Sequence, residues 1–505
     1  MILGYVLLLL ISPVRCTPEQ TGSSPEIIYV SPTGNDKANG KSPATALASC
    51  SAAVHLIKSL ATEQLPPGGV EVHFAAGSYP LTSATTCGEL ANIQGTMAAP
   101  IVFAGAGAHS GMGSVTIFDA TSQLDASLLR PISNTKIAAL INPAARGKVL
   151  ELSVPASSGY SGGQLLWNQV PLTPSVWPNT GLGYVRRVFD AGAVYAEGRT
   201  KGPRPRCHVC LGSNKSTPAA PCGGNISLAE QPGGDWASEL TAGPGFGSVT
   251  LSGYLNNDWY HESHHLARVV RSTTNTSVQF ASYSRYGICE ALERHGSCGG
   301  TAPGRFKVSG LLSEVDTPGE YWYNKVTRML YIYPLPSTRT KLSAGGDVKL
   351  GFPLGPQLLT LTNTAWVTLR DVAVSGSTGT VVSITGGSEN TVGGCVISGS
   401  RGGVSIVGGH HNRVLGNDIY DVGMHINTEG NPQDGLHNLV PTNNMIANNH
   451  LTQVHQRGTW QVRVRGMGDR FSHNLIHDAA GQVMLPGGPL TMIDHNEVFN
   501  TGYQV

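Results

Sequence analysis

Five short apolar segments recur toward the C-terminus at intervals close to 22 residues, and this period constrains the fold more than any other feature. Val382-Ser383-Ile384, Val404-Ser405-Ile406, Met424-His425-Ile426, Val462-Arg463-Val464 and Val483-Met484-Leu485 have centres 22, 20, 38 and 21 residues apart. The long interval holds one extra excursion. Glycine follows four of them, at Gly386, Gly408, Gly466 and Gly487. A second column runs through Asp371, Cys395, Asn417, Asn449, Asn474 and Asn496, with apolar Ala373, Ile397, Ile419, Leu451, Ile476 and Val498 two positions on. Helical solenoids need roughly 30 to 45 residues per unit, and leucine-rich repeats need many more leucines. A β-solenoid fits, because its coils stack ~4.8 Å apart and place equivalent residues in file. Asparagine amides in such a file hydrogen-bond along the axis. They also tolerate the left-handed backbone of a tight turn.

Composition supports strands and turns: of 505 residues 64 are Gly, and only 13 % are charged. The net charge of +1 lacks the basic excess of a nucleic-acid binder. Ile2 to Ile11 is nearly continuous apolar sequence, too short for a bilayer, and reads as part of a secretory signal over residues 1–16. No later run reaches the ~20 apolar residues of a membrane span, so a secreted, extracellular monomer is expected. The export reading makes disulfides the expected use of Cys50, Cys87, Cys207, Cys210, Cys222, Cys289, Cys298 and Cys395. Cys50–Cys87 and Cys289–Cys298 are the preferred pairs, although connectivity is not legible from spacing. Cys207-His208-Val209-Cys210 lacks the second half of a zinc site. Sequons at Asn214, Asn225 and Asn275 mark residues 200 to 280 as an exposed, glycosylated region.

Strand-like runs at Ile27 to Ser31, Val70 to Phe74, Pro100 to Ala104 and Val115 to Phe118, with helical periodicity over Ala46 to Leu60, describe a capped solenoid start over 26–124. Residues 125–350 lose the rhythm and read as an inserted, mostly β domain, with a hairpin ending at Leu330-Tyr331-Ile332-Tyr333-Pro334. Coils resume over 351–505. Asn496-Glu497-Val498-Phe499-Asn500 starts a fresh coil with no cap after it, so further coils are expected beyond Val505.

The opening Tyr29-Val30-Ser31-Pro32-Thr33-Gly34-Asn35-Asp36 resembles the start of many secreted pectate-lyase-like proteins. Glu314-Val315-Asp316-Thr317-Pro318-Gly319-Glu320-Tyr321-Trp322-Tyr323, Ser472-His473-Asn474-Leu475-Ile476-His477-Asp478 and Asp494-His495-Asn496-Glu497-Val498 resemble motifs of glycoside hydrolase family 141 and its relatives. The resemblance spans roughly residues 27 to 120 and 250 to 505. It implies an all-β, right-handed parallel β-helix acting on complex polysaccharide.

Alternation along strands turns the middle residue of each V-x-I segment outward, giving the row Ser383, Ser405, His425, Arg463, Met484. A second row holds Thr385, Val407, Asn427, Arg465 and Pro486. His425, Asn427, Arg463 and Arg465, with Trp460 at the strand edge, form a candidate sugar-binding face. Tryptophan stacks on sugar rings, and guanidinium forks grip uronate carboxylates. A plain solvated strand face is the competing reading. Asp421 and Asp478 follow their ladder asparagines by four positions, two coils apart, roughly 9 to 10 Å between backbones. Paired carboxylates ~5 to 9.5 Å apart are the minimum equipment for glycoside hydrolysis. Asp478 is the first candidate and His477 its modulator; the competing reading has both aspartates bonding turn N–H groups. His410, His411, His473 and His495 read as structural donors. No metal-ligand spacing or cofactor motif is evident, and calcium held by turn oxygens stays open.

Three functions remain: a hydrolase of a complex polysaccharide, acidic ones included; a polysaccharide lyase on the same fold; or a non-catalytic carbohydrate-binding or matrix protein. Fold alone does not separate them. A lyase needs a base and a charge neutraliser beside a uronate, and no lysine follows Lys349.

Overall fold

The computed structural model describes residues 23–503 except 110–113, 169, 191–223, 257–259, 283, 285–287, 291–302, 337–347, 432–438, 453–460 and 481–482. The signal segment, Trp460, the Asn214 sequon, Cys207, Cys210, Cys222 and the partner proposed for Cys289 lie outside the described residues.

Apolar residues alternating with polar ones make strands with one buried face, and here the buried faces close on one another. Three parallel sheets result. The first wall runs Glu26–Val30, Val70–Phe74, Ile101–Ala104, Val367–Arg370, Thr391–Gly393, Arg413–Leu415, Met445–Ala447, Arg470–Ser472 and Met492–Asp494. The second runs Gly77–Pro80, Thr116–Asp119, Ala373–Ser375, Val396–Ser398, Asp418–Tyr420, His450–Thr452, Leu475–Ala480 and Glu497–Tyr503. The third begins at Gly88–Ala91 and continues through Leu359–Thr362, Thr380–Thr385, Gly402–Val407, Ile426–Glu429, Val462–Arg465 and Met484–Pro486. The chain is therefore an all-β solenoid. Val382, Ile384, Val392, Ile397, Val404, Ile406, Val414 and Ile419 fill its interior in one continuous core.

The expected helix forms over Cys50–Glu63. Ser49 caps it by accepting from Ala52 N, and Ala53, Val54 and Ile57 cover the first coils. A disulfide joins Cys50 to Cys87, as expected. Cys289 is also disulfide-bonded, while Cys395 is a buried free thiol inside the stack. At the far end Ile493 and Val498 are 45 % and 47 % exposed, although Phe471 and Ile476, their counterparts one coil earlier, are fully buried.

Between Asp119 and Leu359 the rhythm is broken by three largely antiparallel sheets. Their first and last strands, Thr121–Leu124 and Leu350–Pro353, pair with each other, so the excursion leaves and returns side by side. The solenoid closes across the gap: Phe103 pairs with Leu369, and Phe118 with Val374. The hairpin read near Pro334 is Glu320–Asn324 with Met329–Ile332. The family-like motif beginning at Glu314 lies here and is built into the packing. Glu314 accepts from buried Trp236 Nε1 at 2.6 Å, and Glu320 accepts from Asp316 N and Thr317 N.

Burial raises three carboxyls in this region, Glu239 to about 6 and Glu314 and Glu320 to about 7. Such groups stay protonated in the folded chain while the unfolded chain ionises above about pH 4.5. Their stabilisation is complete at low pH and is lost as pH rises toward about 7, on the order of 2 kcal/mol for Glu239 and about 3 kcal/mol for each of the other two. Urea unfolding is therefore expected to show a higher midpoint near about pH 5 than near about pH 8. Equal midpoints would mean that the three carboxyls are ionised in the folded protein.

The asparagine ladder forms, with one correction at its start. Cys395, Asn417, Asn449, Asn474 and Asn496 stand in file, the backbone N–H of each of the first four donating to the Oδ1 of the next asparagine at 2.9 to 3.0 Å. Strand register places Val372, not Asp371, at the head of that file, because Ala373 pairs with Val396. Asp371 belongs to the turn row before the ladder. That row, not the ladder, carries the left-handed backbone: Asp371, Asn448, His473 and His495 have φ of 55 to 59°. A second ladder, Asn390, Asn412, Asn444 and Asp469, runs parallel to the first.

Register also corrects the V-x-I column at two coils. Val404 pairs with Ile426, so the equivalent segment is Ile426-Asn427-Thr428, two residues later than the apolar pattern implied. Thr428 is fully buried where neighbouring coils place isoleucine or valine. A β-branched polar residue filled an inward position and disguised the register. In the last coil Met484 pairs with Val462, one residue later than expected.

Candidate functional site

Residues between a ladder asparagine and the next buried aliphatic point outward on the second wall. One coil supplies Asp418, the next His450 and the third Leu475, with His477 two residues further on. Stacking brings their side chains together. His450 Nδ1 lies 3.0 Å from Asp418 Oδ1, and His450 Nε2 lies 2.7 Å from His477 Nε2. His477 Nδ1 is 2.6 Å from Asp478 Oδ2, and the Asn500 amide donates to the other Asp478 oxygen. The imidazoles stack with centroids 4.9 Å apart, and Phe499 stacks on His477 at 4.9 Å. The His477 hydrogen bond and then that of Asn500 hold the Asp478 carboxyl below the usual range.

Asp418 is also a wall of an open cleft of ≈ 730 Å³. Tyr420 lines it from the same strand, Asp119 and Ser375 from earlier coils, and Lys349 from the end of the excursion. Asp119 is occupied in its own turn, accepting from Thr121 N and Oγ1. The cleft thus places an oriented carboxylate, a phenol and an ammonium group on one solvent-facing wall. Among the described residues no three His, Cys, Asp or Glu side chains converge as metal ligands. No described helix is long and apolar enough to cross a membrane.

The structure unites two of the three residues read as catalytic, His477 and Asp478. Asp421 stands in the file of Asp478, two coils earlier, but is only 8 % exposed. It faces a separate cavity of ≈ 460 Å³ between solenoid turns and the excursion, lined also by Tyr160, Phe352 and Arg401. Both aspartates have left-handed backbones, with φ of 59° and 51°.

On the third wall, His425 is corrected from an outward to an inward residue. It is fully buried, with Nε2 3.0 Å from Thr452 O, and burial pulls its pKa down to about 4. The register shift that buries Thr428 also turns this ring inward. Asn427 pairs with Arg463 in the outward row and donates to Ser405 Oγ at 3.1 Å. Arg465 forms an ion pair with Glu429 at 3.2 Å, both partly exposed. Such pairs contribute ~0 to 1 kcal/mol, so Arg465→Ala is expected to shift urea unfolding by less than about 1 kcal/mol. A loss above about 2 kcal/mol would give this arginine a structural role instead.

Sequence reasoning missed Asp418, His450, Tyr420, Lys349 and Glu429. The row between ladder asparagine and aliphatic, read as the V-x-I row was read, contains Asp418 and His450. No local pattern connects Lys349 to them.

No protein-family model and no curated sequence matches this chain. Among solved structures it is similar to one named "Glycoside hydrolase", with a TM-score of 0.52 and 12 % identity over 93 % of this chain and 96 % of that one. The fold is therefore that of a glycoside hydrolase structure. A complex of XylC with xylose aligns with a TM-score of 0.42 and 8 % identity, over 94 % of this chain and 62 % of the other.

Proposed function

We propose that the chain is a secreted glycoside hydrolase of the right-handed parallel β-helix type, cleaving a complex polysaccharide on its second wall. Right-handed winding is the rule for crossovers between parallel strands. The observation that carries the reading is the file of Asp418, His450, His477 and Asp478 from three coils, in which Asp418 lies 3.0 Å from His450, His450 is hydrogen-bonded through His477 to Asp478, and Asp418 lines the cleft. Carboxylates positioned by imidazoles are equipment for general acid–base chemistry. Asp418 acts as the acid toward the glycosidic oxygen. Asp478, two coils further on and outside the lining of that cleft, anchors the far end of the file through His477. Asp421 has no part in this chemistry, because its cavity is a different one. Asn427, Arg463 and Arg465 extend glycan binding over the third wall.

A lyase is the second reading, favoured by Lys349 and Tyr420 on the same cleft as Asp418. A lysine beside a uronate neutralises its carboxylate, and a phenol or imidazole abstracts the neighbouring proton. Incubation with a panel of neutral and uronate polysaccharides tests both. Reducing ends released without ultraviolet absorbance indicate hydrolysis, and unsaturated, absorbing products indicate a lyase. Binding without either product would leave a carbohydrate-binding protein.

A further inference from the structure

We propose a second catalytic site, in the excursion rather than on the solenoid: Ser282, His264 and Glu262 form a nucleophile, base and carboxylate set that hydrolyses short-chain carboxylic esters. One hairpin brings the three together. Glu262–Arg271 pairs antiparallel with Thr276–Phe280, Leu266 facing Phe280. The Ala281 N–H donates to His265 O at 2.8 Å, so the register continues past the second strand. Ser282 then stands opposite His264, and Ser284 opposite Glu262. Alternation puts Glu262 and His264 on the buried face of their strand, with Ser263 and His265 on the exposed one. Ser282 Oγ lies 2.9 Å from His264 Nδ1, and His264 Nε2 lies 3.2 Å from Glu262 Oε2. Ser284 Oγ donates to the other Glu262 oxygen at 2.7 Å. Phe280 stacks on the imidazole, centroids 5.0 Å and planes 12° apart, and holds the ring in its plane.

A carboxylate accepts and does not donate, so Glu262 keeps the imidazole proton on Nε2 and leaves Nδ1 to accept the Ser282 O–H. A serine nucleophile needs that polarity: a base within hydrogen-bond reach, and a third group orienting the base. Burial grades along the set. The side chains of Glu262 and His264 are 6 % and 4 % exposed, while Ser282 is half-buried and meets solvent. Among the described residues the Ser282 N–H has no acceptor, which leaves it to hold the oxyanion of an ester attacked at its own Oγ. Behind the imidazole, Leu266, Val278 and Phe280 fill the core, which favours a short acyl group. The alcohol part stays in solvent, so a bulky alcohol such as a sugar hydroxyl is accommodated.

In the reaction, Ser282 Oγ bonds to the ester carbonyl carbon and its proton passes to His264 Nδ1. The bond from that carbon to the alkoxy oxygen breaks, the electron pair staying on oxygen, which takes the proton from Nδ1 and leaves as alcohol. Water then bonds to the carbonyl carbon of the acyl-serine and gives a proton to Nδ1. The bond to Oγ breaks, Oγ recovers that proton, and the carboxylic acid departs. Ser282 and His264 are the catalytic residues. Glu262 is a positioning residue, acting through the tautomer of His264.

Covalent labelling and ester kinetics test this. Diisopropyl fluorophosphate, whose phosphorus bonds to an activated serine oxygen as fluoride leaves, is expected to modify Ser282 in the folded protein and not in urea-unfolded protein. Peptide mass spectrometry locates the label. With p-nitrophenyl acetate, Ser282→Ala, a change at a half-buried position, is expected to lower kcat by at least about 10²-fold. His264→Gln should slow both labelling and ester hydrolysis as much. Glu262→Gln should lower kcat by about 10² to 10⁴-fold with KM unchanged, a split that loss of packing alone would not give. A folded wild type left unlabelled at Ser282 overturns the proposal, as does equal ester hydrolysis by Ser282→Ala. Both readings stand whether or not any glycan is cleaved, so failure here and failure of the glycoside hydrolase reading are told apart.

Discussion

Asn449→Leu is expected to lower unfolding free energy by about 3 to 5 kcal/mol. The substitution keeps the branched, four-heavy-atom shape of the side chain and removes the hydrogen bonds. Asn449 is 1 % exposed and serves two coils at once. Its Oδ1 accepts from Asn417 N at 3.0 Å and Asn417 Nδ2 at 2.9 Å. Its Nδ2 donates to Val414 O at 2.9 Å, Ala447 O at 3.1 Å and Asn474 Oδ1 at 2.9 Å. Leucine strands those partners in a dry interior, where each unsatisfied group costs roughly 1 to 3 kcal/mol. Some relax toward one another, which keeps the total below the full sum. Asn427→Leu is the control: the same change at a half-buried outward position should cost less than about 1 kcal/mol. Urea unfolding followed by circular dichroism measures both. Similar small losses would mean the ladder is a bystander to stability.

Asp418→Asn is expected to reduce kcat on a cleaved glycan by about 10² to 10⁴-fold, the usual contribution of a general acid. The amide keeps the size of the side chain, but it holds no transferable proton. With the Asp418 side chain 28 % exposed, the fold should tolerate the change. Asp421→Asn, in the other cavity, should leave kcat within about threefold. Steady-state kinetics on the same substrate compares the two. Reversal of the two effects would move the chemistry to the junction of solenoid and excursion.

The solenoid was legible because its determinants recur at a fixed period. Asn417, Asn449, Asn474 and Asn496 each sit before an aliphatic residue, and hydrogen bonding between coils requires that repetition. Register was less legible. Thr428 looks polar in sequence but fills a place of isoleucine, so pattern matching slid the coil by two residues and turned His425 outward. The second ladder was equally legible and went unread: Val392, Val414, Ile446 and Phe471 stand two positions after Asn390, Asn412, Asn444 and Asp469, as aliphatics follow the first ladder. Half of the candidate site was legible for the same reason that the ladder was: His477 and Asp478 lie in a recognisable motif. Lys349 was not legible, because it reaches the cleft through the closure of a long excursion, a contact set by tertiary packing alone. The Glu314 motif shows the converse. Its acidic and aromatic residues suggested a family, yet they hold the interior of the excursion, through Trp236 and the turn at Asp316.

The most direct measurement is a crystal structure of the Asp418→Asn protein with a bound oligosaccharide. The sugar should lie on the second wall, a glycosidic oxygen within hydrogen-bond reach of Asn at position 418, with Tyr420 and Lys349 at its sides. A chain seated instead against Arg463 and Arg465, or in the cavity at Asp421, with the second wall bare, would contradict the account.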